Sequence, residues 1–114
     1  MADWESFRKN HYELLGNAIV KNLDKKGYSA EYVATAEGAK RKIIDLIPER
    51  ASVGVPGSVT LRELGLLEAL EKRGNKIVHH WDPSLVGEER IRRLQEELSC
   101  DVFLTSANAL TIDG

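Results

Sequence analysis

A chain of 114 residues has room for one small domain and a single modest core. Apolar residues at 42% and charged residues at 30% are ordinary for a soluble globular fold, and a formal net charge of −2 of mixed sign offers neither nucleic acid nor membrane a reason to bind. No apolar run is long enough to span a bilayer, and the amino terminus is polar and amphipathic rather than a signal peptide. Cys100 is the only cysteine, which excludes an intrachain disulfide and any iron–sulfur cluster or cysteine zinc site held by one chain. A reducing, cytoplasmic compartment is the expectation.

In chain order, Asp3 can cap a long helix over residues 4–26. Trp4, Phe7, His11, Leu14 and Ala18 recur on one stripe, widened by Leu15, Ile19 and Leu23. Gly27 stops this helix behind Lys25 and Lys26. Gly16, costly inside a helix, marks a close crossing. Residues 28–34 read as a first strand with Tyr28, Tyr32 and Val33 as its bulky members. Thr35 opens a second helix through Ile47, burying Ala36, Ala39, Ile43, Ile44 and Ile47, and Pro48 follows it.

Residues 51–55 read as a buried strand feeding a glycine turn, and a helix over residues 61–73 with Leu61, Leu64, Leu67 and Leu70 inward comes next. Its start has two readings: a capping box of Thr60 and Glu63, or Ser58 as the N-cap. Gly65 suggests close helix–sheet contact, and Gly74 ends the helix. Residues 76–80 form a third strand, Asp82-Pro83-Ser84 a turn, residues 88–99 a helix with Ile91, Leu94 and Leu98 inward, and residues 101–105 a fourth strand. The charged run from Glu88 to Glu97 reads as a solvated face. The alternation of helix and strand predicts an α/β fold, three-layered, with a mostly parallel sheet.

Ligands of such sheets gather at the carboxyl ends of strands. Two ends here are small and polar: Gly54, Pro56, Gly57, Ser58 and Thr60 after one strand, and Thr105, Ser106 and Asn108 after another. Gly57 lets a ligand approach the main chain, and spare N–H groups at a helix start favour an anion. The turn is neither a P-loop nor a dinucleotide fingerprint.

Gly57-Ser58-Val59-Thr60-Leu61-Arg62-Glu63-Leu64-Gly65-Leu66-Leu67, and the run from Asp101 through Thr105-Ser106-Ala107-Asn108 to Asp113-Gly114, resemble the signatures of the LUD domain, the lactate-utilisation or LutC/YkgG-like family. The resemblance covers residues 1–114 as one partial domain, with residues 1–27 as a long amino-terminal helix. It implies a fold similar to the sugar-phosphate isomerase and CoA-transferase group, whose glycine turn handles anionic groups. Pro56 stands where such proteins often have Gly, removing one backbone donor. Family domains usually continue past the Asp-Gly, so the second half is expected to be missing, as in a fragment or a short form that pairs with another copy.

The expected ligand contacts are Gly54, Gly57, Ser58, Thr60, Ser106, Asn108 and Asp113; no metal is expected. Glu63 is the candidate catalytic carboxylate, with capping as the plainer account, and Arg62 can add charge. His79 and His80 point to opposite faces of a strand and cannot readily share a metal, while Asp82 is placed to orient one of them. Cys100 reads as a small apolar residue.

Two functions follow from the resemblance. The first is a non-redox component of lactate oxidation, with no cofactor of its own, that binds a small anionic ligand or docks to iron–sulfur redox subunits, as a homo-oligomer. The second is a stand-alone isomerase or acyl/CoA-transfer enzyme built on the Gly57-Ser58 turn and Glu63.

Overall fold

The computed structural model describes residues 3–114. Its elements are α1 (Trp4–Lys25), α2 (Ala36–Leu46), β1 (Ser52–Gly54), α3 (Val59–Glu63), α4 (Leu66–Arg73), β2 (Lys76–Val78), α5 (Gly87–Leu98) and β3 (Val102–Phe103). The chain divides into two units, residues 1–39 with 107–114, and residues 40–106.

The first unit is built on α1. Asp3 caps it as expected: its carboxylate accepts from the Glu5 N–H and the Ser6 hydroxyl, both at 3.0 Å. Gly27, at φ +92°, takes the left-handed conformation beyond the helix end. The close crossing expected at Gly16 is present, because a Cβ there would overlap the Tyr32 ring. The stripe fares less well. Trp4, Phe7 and Leu14 are 83%, 57% and 71% exposed, so the amino-terminal half of α1 leaves its apolar residues in solvent.

Residues 28–34 do not form the expected strand. A strand needs a ladder partner, and the backbone here finds other acceptors. The Tyr28 N–H goes to the Leu23 carbonyl at 3.1 Å and the Ala30 N–H to Asp24 Oδ1 at 3.3 Å. The carboxyl-terminal segment is tied to the same helix, through Asn22 to the Ile112 carbonyl at 2.8 Å and Lys26 to the Gly114 carbonyl at 2.6 Å.

The second unit holds the sheet. Its three strands run in the order β2-β1-β3, all parallel, with Val53 opposite both Ile77 and Val102. The protein is therefore α/β with a parallel open sheet. Val53, Val55, Leu66 and Leu70 are fully buried, joined by Ile47, Ala51 and Leu61. Val53 and Val55 alternate with Gly54 along β1, so the central strand presents valine to one side and bare backbone to the other.

That bare backbone receives α5. A Cβ at Gly54 would collide with the Glu97 carbonyl oxygen and crowd Glu97 Cα at 3.0 Å. The close approach rotates α5 away from its expected orientation. Leu98 and Ile91 are 72% and 56% exposed, and Glu97, expected on a solvated face, is 1% exposed. Leucine spacing alone pointed the helix the wrong way.

The helix expected over residues 61–73 is two helices. Gly65 sits at φ +67°, a left-handed residue between α3 and α4. The break shifts the helical phase, so Leu66 and Leu70 become the buried pair, while Leu64 and Leu67 are only partly buried. At the far end, Arg73 donates to the carbonyls of Ile44 at 2.9 Å and Ile47 at 2.7 Å. Asn75, 5% exposed, donates to those of Pro48 at 3.1 Å and Ala51 at 2.8 Å. These two side chains satisfy the carbonyls left over where α2 ends.

Gly54→Ala forces backbone against backbone, which no side-chain rotation relieves. It is expected to cost about 3 kcal/mol, the upper part of the overpacking range, against about 1–2 kcal/mol for Gly74→Ala, where only the left-handed φ is strained. Urea denaturation of the two variants checks this ordering; equal losses would place α5 farther from β1.

Candidate functional site

The carboxyl ends of β1 and β3 meet through two hydroxyls. Ser58 Oγ and Ser106 Oγ lie 2.8 Å apart, across 48 residues of sequence. β3 aligns with β1 as far as Gly54, whose carbonyl accepts from the Leu104 N–H at 2.9 Å. At the other end of these strands Asp101 Oδ2 accepts from the Ser52 N–H at 2.9 Å, and Ser52 Oγ accepts from the Asp101 N–H at 2.9 Å. The two strands are thus pinned before and after their ladder, and the chain beyond each arrives at one place.

Ser58 caps α3. It is 6% exposed and its Oγ accepts from the Leu61 N–H at 3.2 Å. Of the two readings of this helix start, the structure holds the Ser58 one. Thr60 and Glu63 are both exposed, Glu63 being the last residue of α3. Gly57, exposed and at φ +148°, leaves the turn open where a Cβ would come within 3.2 Å of Trp81 Nε1. Gly54 is buried beneath α5 and presents no surface to a ligand. Asn108 and Asp113 are exposed members of the other unit.

The chain leaving β2 adds a second set of groups. The Val55 N–H donates to the Val78 carbonyl at 2.9 Å, and Trp81 Nε1 donates to the Pro56 carbonyl at 3.3 Å. Residues 79–81 therefore run beside the glycine turn. The His79 and Trp81 rings stack with centroids 4.5 Å apart, and the Arg62 guanidinium lies 3.9 Å from the Trp81 ring centroid. A cavity of about 230 Å³ opens here, lined by Arg62, Gly65, Leu67, Glu68 and Trp81. Lys40 Nζ approaches Gly65 to within 3.6 Å of where a Cβ would stand. Two cations and one carboxylate thus border a small apolar hollow.

His80 turns the other way and meets α5. Its Nδ1 lies 2.7 Å from Glu97 Oε1, with side chains 19% and 2% exposed. Asp82, the residue expected to orient a histidine, is engaged locally instead. The Ser84 hydroxyl and then the Ser84 N–H hold its carboxyl below the usual range. Glu97 takes the orienting position. Its inward placement follows from Gly54, and a glycine opposite a glutamate on the crossover helix was the one signal in the sequence. Cys100 is half-buried and donates to the Glu96 carbonyl at 3.3 Å. Among the described residues, no group of three His, Cys, Asp or Glu side chains is placed to hold a metal ion, and no helix is long and apolar enough to cross a membrane.

Ser58→Ala removes both the cap and the bond to Ser106, so it is expected to lower stability by about 1–2 kcal/mol. Thr60→Ala, at an exposed helical position, should stay within about 0.5 kcal/mol. Chemical denaturation separates the two cap assignments: the larger loss at Thr60 would restore the capping box.

No curated protein and no solved structure matches the chain. The family model described as the LUD domain matches residues 17–114. This span takes in the glycine turn, all three strands of the sheet and the Ser106-to-Gly114 ending. The chain is a member of the LUD domain family, and is related to lactate utilisation through it.

Proposed function

We propose that this chain is a non-redox component of lactate oxidation that binds a small anionic ligand, a carboxylate or a phosphorylated compound, at the carboxyl end of its sheet. The observation that carries the reading is the Ser58–Ser106 contact. Two stretches far apart in sequence, each containing part of the family signature, place hydroxyls 2.8 Å apart beside an exposed glycine. Hydroxyls can donate to an anion without the desolvation cost of a buried cation. Arg62, over the Trp81 ring that donates to the Pro56 carbonyl of the turn, supplies the positive field.

Lactate oxidation needs an electron acceptor, and electrons then pass through cofactors carried by partner subunits. Iron–sulfur redox subunits are the partners this reading requires, in the cytoplasm, with this chain acting as a homo-oligomer. Thr60 remains part of the proposed ligand contacts, whereas Asn108 and Asp113, expected beside it, belong to the other unit and are not counted in this site. Gly54 contributes by shaping the strand end.

Titration of the 15N-labelled protein with L-lactate, pyruvate and glucose 6-phosphate tests the ligand reading. Saturable shifts are expected at Gly57, Ser58 and Ser106 for at least one compound. Ser106→Ala should weaken that binding about tenfold, the loss of one hydrogen bond to a charged group. Shifts confined to α1, or none with any compound, would remove the sheet-end site. Affinity capture with the tagged chain from its own lysate tests the docking reading, with iron–sulfur subunits as the expected catch.

A further inference from the structure

We infer that the hollow at Gly65 is a ligand site of its own, which takes a small apolar α-amino acid as its zwitterion. It stands apart from the anion at the strand ends, because other residues form it. Arg62, Gly65, Leu67, Glu68 and Trp81 line the hollow, all within the second unit. Its volume of about 230 Å³ is below the roughly 300 Å³ at which pockets for drug-sized ligands begin, so the guest is small. The Trp81 wall is fixed in advance: its ring stacks on His79, and its Nε1 donates to the Pro56 carbonyl.

The charges are set around a missing side chain. Gly65 holds φ +67° between α3 and α4, where glycine is favoured. The position its Cβ would occupy is 3.6 Å from Lys40 Nζ and 3.8 Å from Glu68 Oε2. Among the described residues, neither of these groups has an ion-pair or hydrogen-bond partner. They do not pair with each other, so their charged atoms stand more than about 4 Å apart. Yet both lie close to the same point. A gap too wide for a direct bond is bridged by a guest that carries both charges on one carbon.

An α-amino acid meets each of these demands. Its ammonium donates to Glu68, whose carboxylate only accepts, and its carboxylate accepts from Lys40, whose ammonium only donates. Arg62, held 3.9 Å from the Trp81 ring centroid, brings further donors to the same rim for that carboxylate. Leu67 and the Trp81 ring give an apolar side chain its surface. Other small ligands fit less well. A simple carboxylate or a sugar phosphate brings like charge to Glu68, and a simple amine brings it to Lys40 and Arg62. The pairing of one carboxylate with two cations across an apolar wall is what selects the zwitterion.

Titration of the 15N-labelled protein with L-leucine and L-valine tests the assignment. At least one is expected to give saturable shifts at Gly65, Leu67 and the Trp81 indole N–H. Isocaproate and isovalerate lack the ammonium of these two, and isoamylamine and isobutylamine lack the carboxylate. Each should bind about tenfold more weakly than its parent amino acid. Glu68→Gln, at an exposed position, is expected to keep the fold and weaken the amino acid about tenfold while sparing the matching carboxylic acid. Lys40→Met should spare the matching amine instead. A merely structural effect of either substitution would weaken acid, amine and amino acid alike. An acid that binds as tightly as its amino acid, an unchanged affinity in Glu68→Gln, or no shift at Gly65 with either amino acid overturns the inference. Shifts at Gly57 and Ser58 with L-lactate are read in the same spectra, so this site and the strand-end site stand or fall separately.

Discussion

The contact between the α5 backbone and Gly54 sets the rest of the second unit. A helix ordinarily rests on a sheet through side chains on both surfaces, at about 10 Å. Here one surface has none, and the helix main chain comes down onto the strand main chain. Several features follow from this one approach. Glu97 is driven inward and finds His80; Leu98 and Ile91 are turned out; Arg93 is brought to the His79 carbonyl. The same strand gives valine to its other side, where Leu66 and Leu70 complete the apolar core. A substitution that left every named hydrogen-bonding group intact could still undo the arrangement by adding one methyl group.

The second organising device is the pair of brackets on β1 and β3. Ser52 and Asp101 exchange hydrogen bonds at one end, and Ser58 and Ser106 touch at the other. A ladder of two paired residues is too short to fix register by itself. Polar side chains outside the ladder supply the specification that length does not. This gives Asp101 a structural role within the second family motif, distinct from any ligand contact at the strand ends.

Much of this was legible in the residues, and the failures share one cause. Asp3 as a cap, Gly27 as a stop, Gly16 as a crossing point and the three strands of the sheet were readable because each depends on local chemistry. The meeting of Ser58 with Ser106 was readable because parallel strands collect their outgoing loops at one edge. Residues 28–34 had strand composition but no neighbour to pair with. Gly65 broke a helix that its leucines would have supported. Glu97 looked solvated because charge and periodicity describe a helix alone, and its orientation was decided by the missing side chain at Gly54. Arg73 and Asn75 gave no advance sign, since their partners are carbonyl groups more than twenty residues away.

The order of strands in the sheet also bears on how the molecule is made. Of the three strands among the described residues, β1 lies in the middle but is the first to leave the ribosome, and its second neighbour, β3, is the last of the three. For the interval in between, the central strand is an unguarded edge with valine on its side chains, the kind of template on which nascent chains join one another. Closure waits on residues 102–104, so a stall or a cleavage just upstream leaves a sticky half-sheet rather than a smaller folded protein.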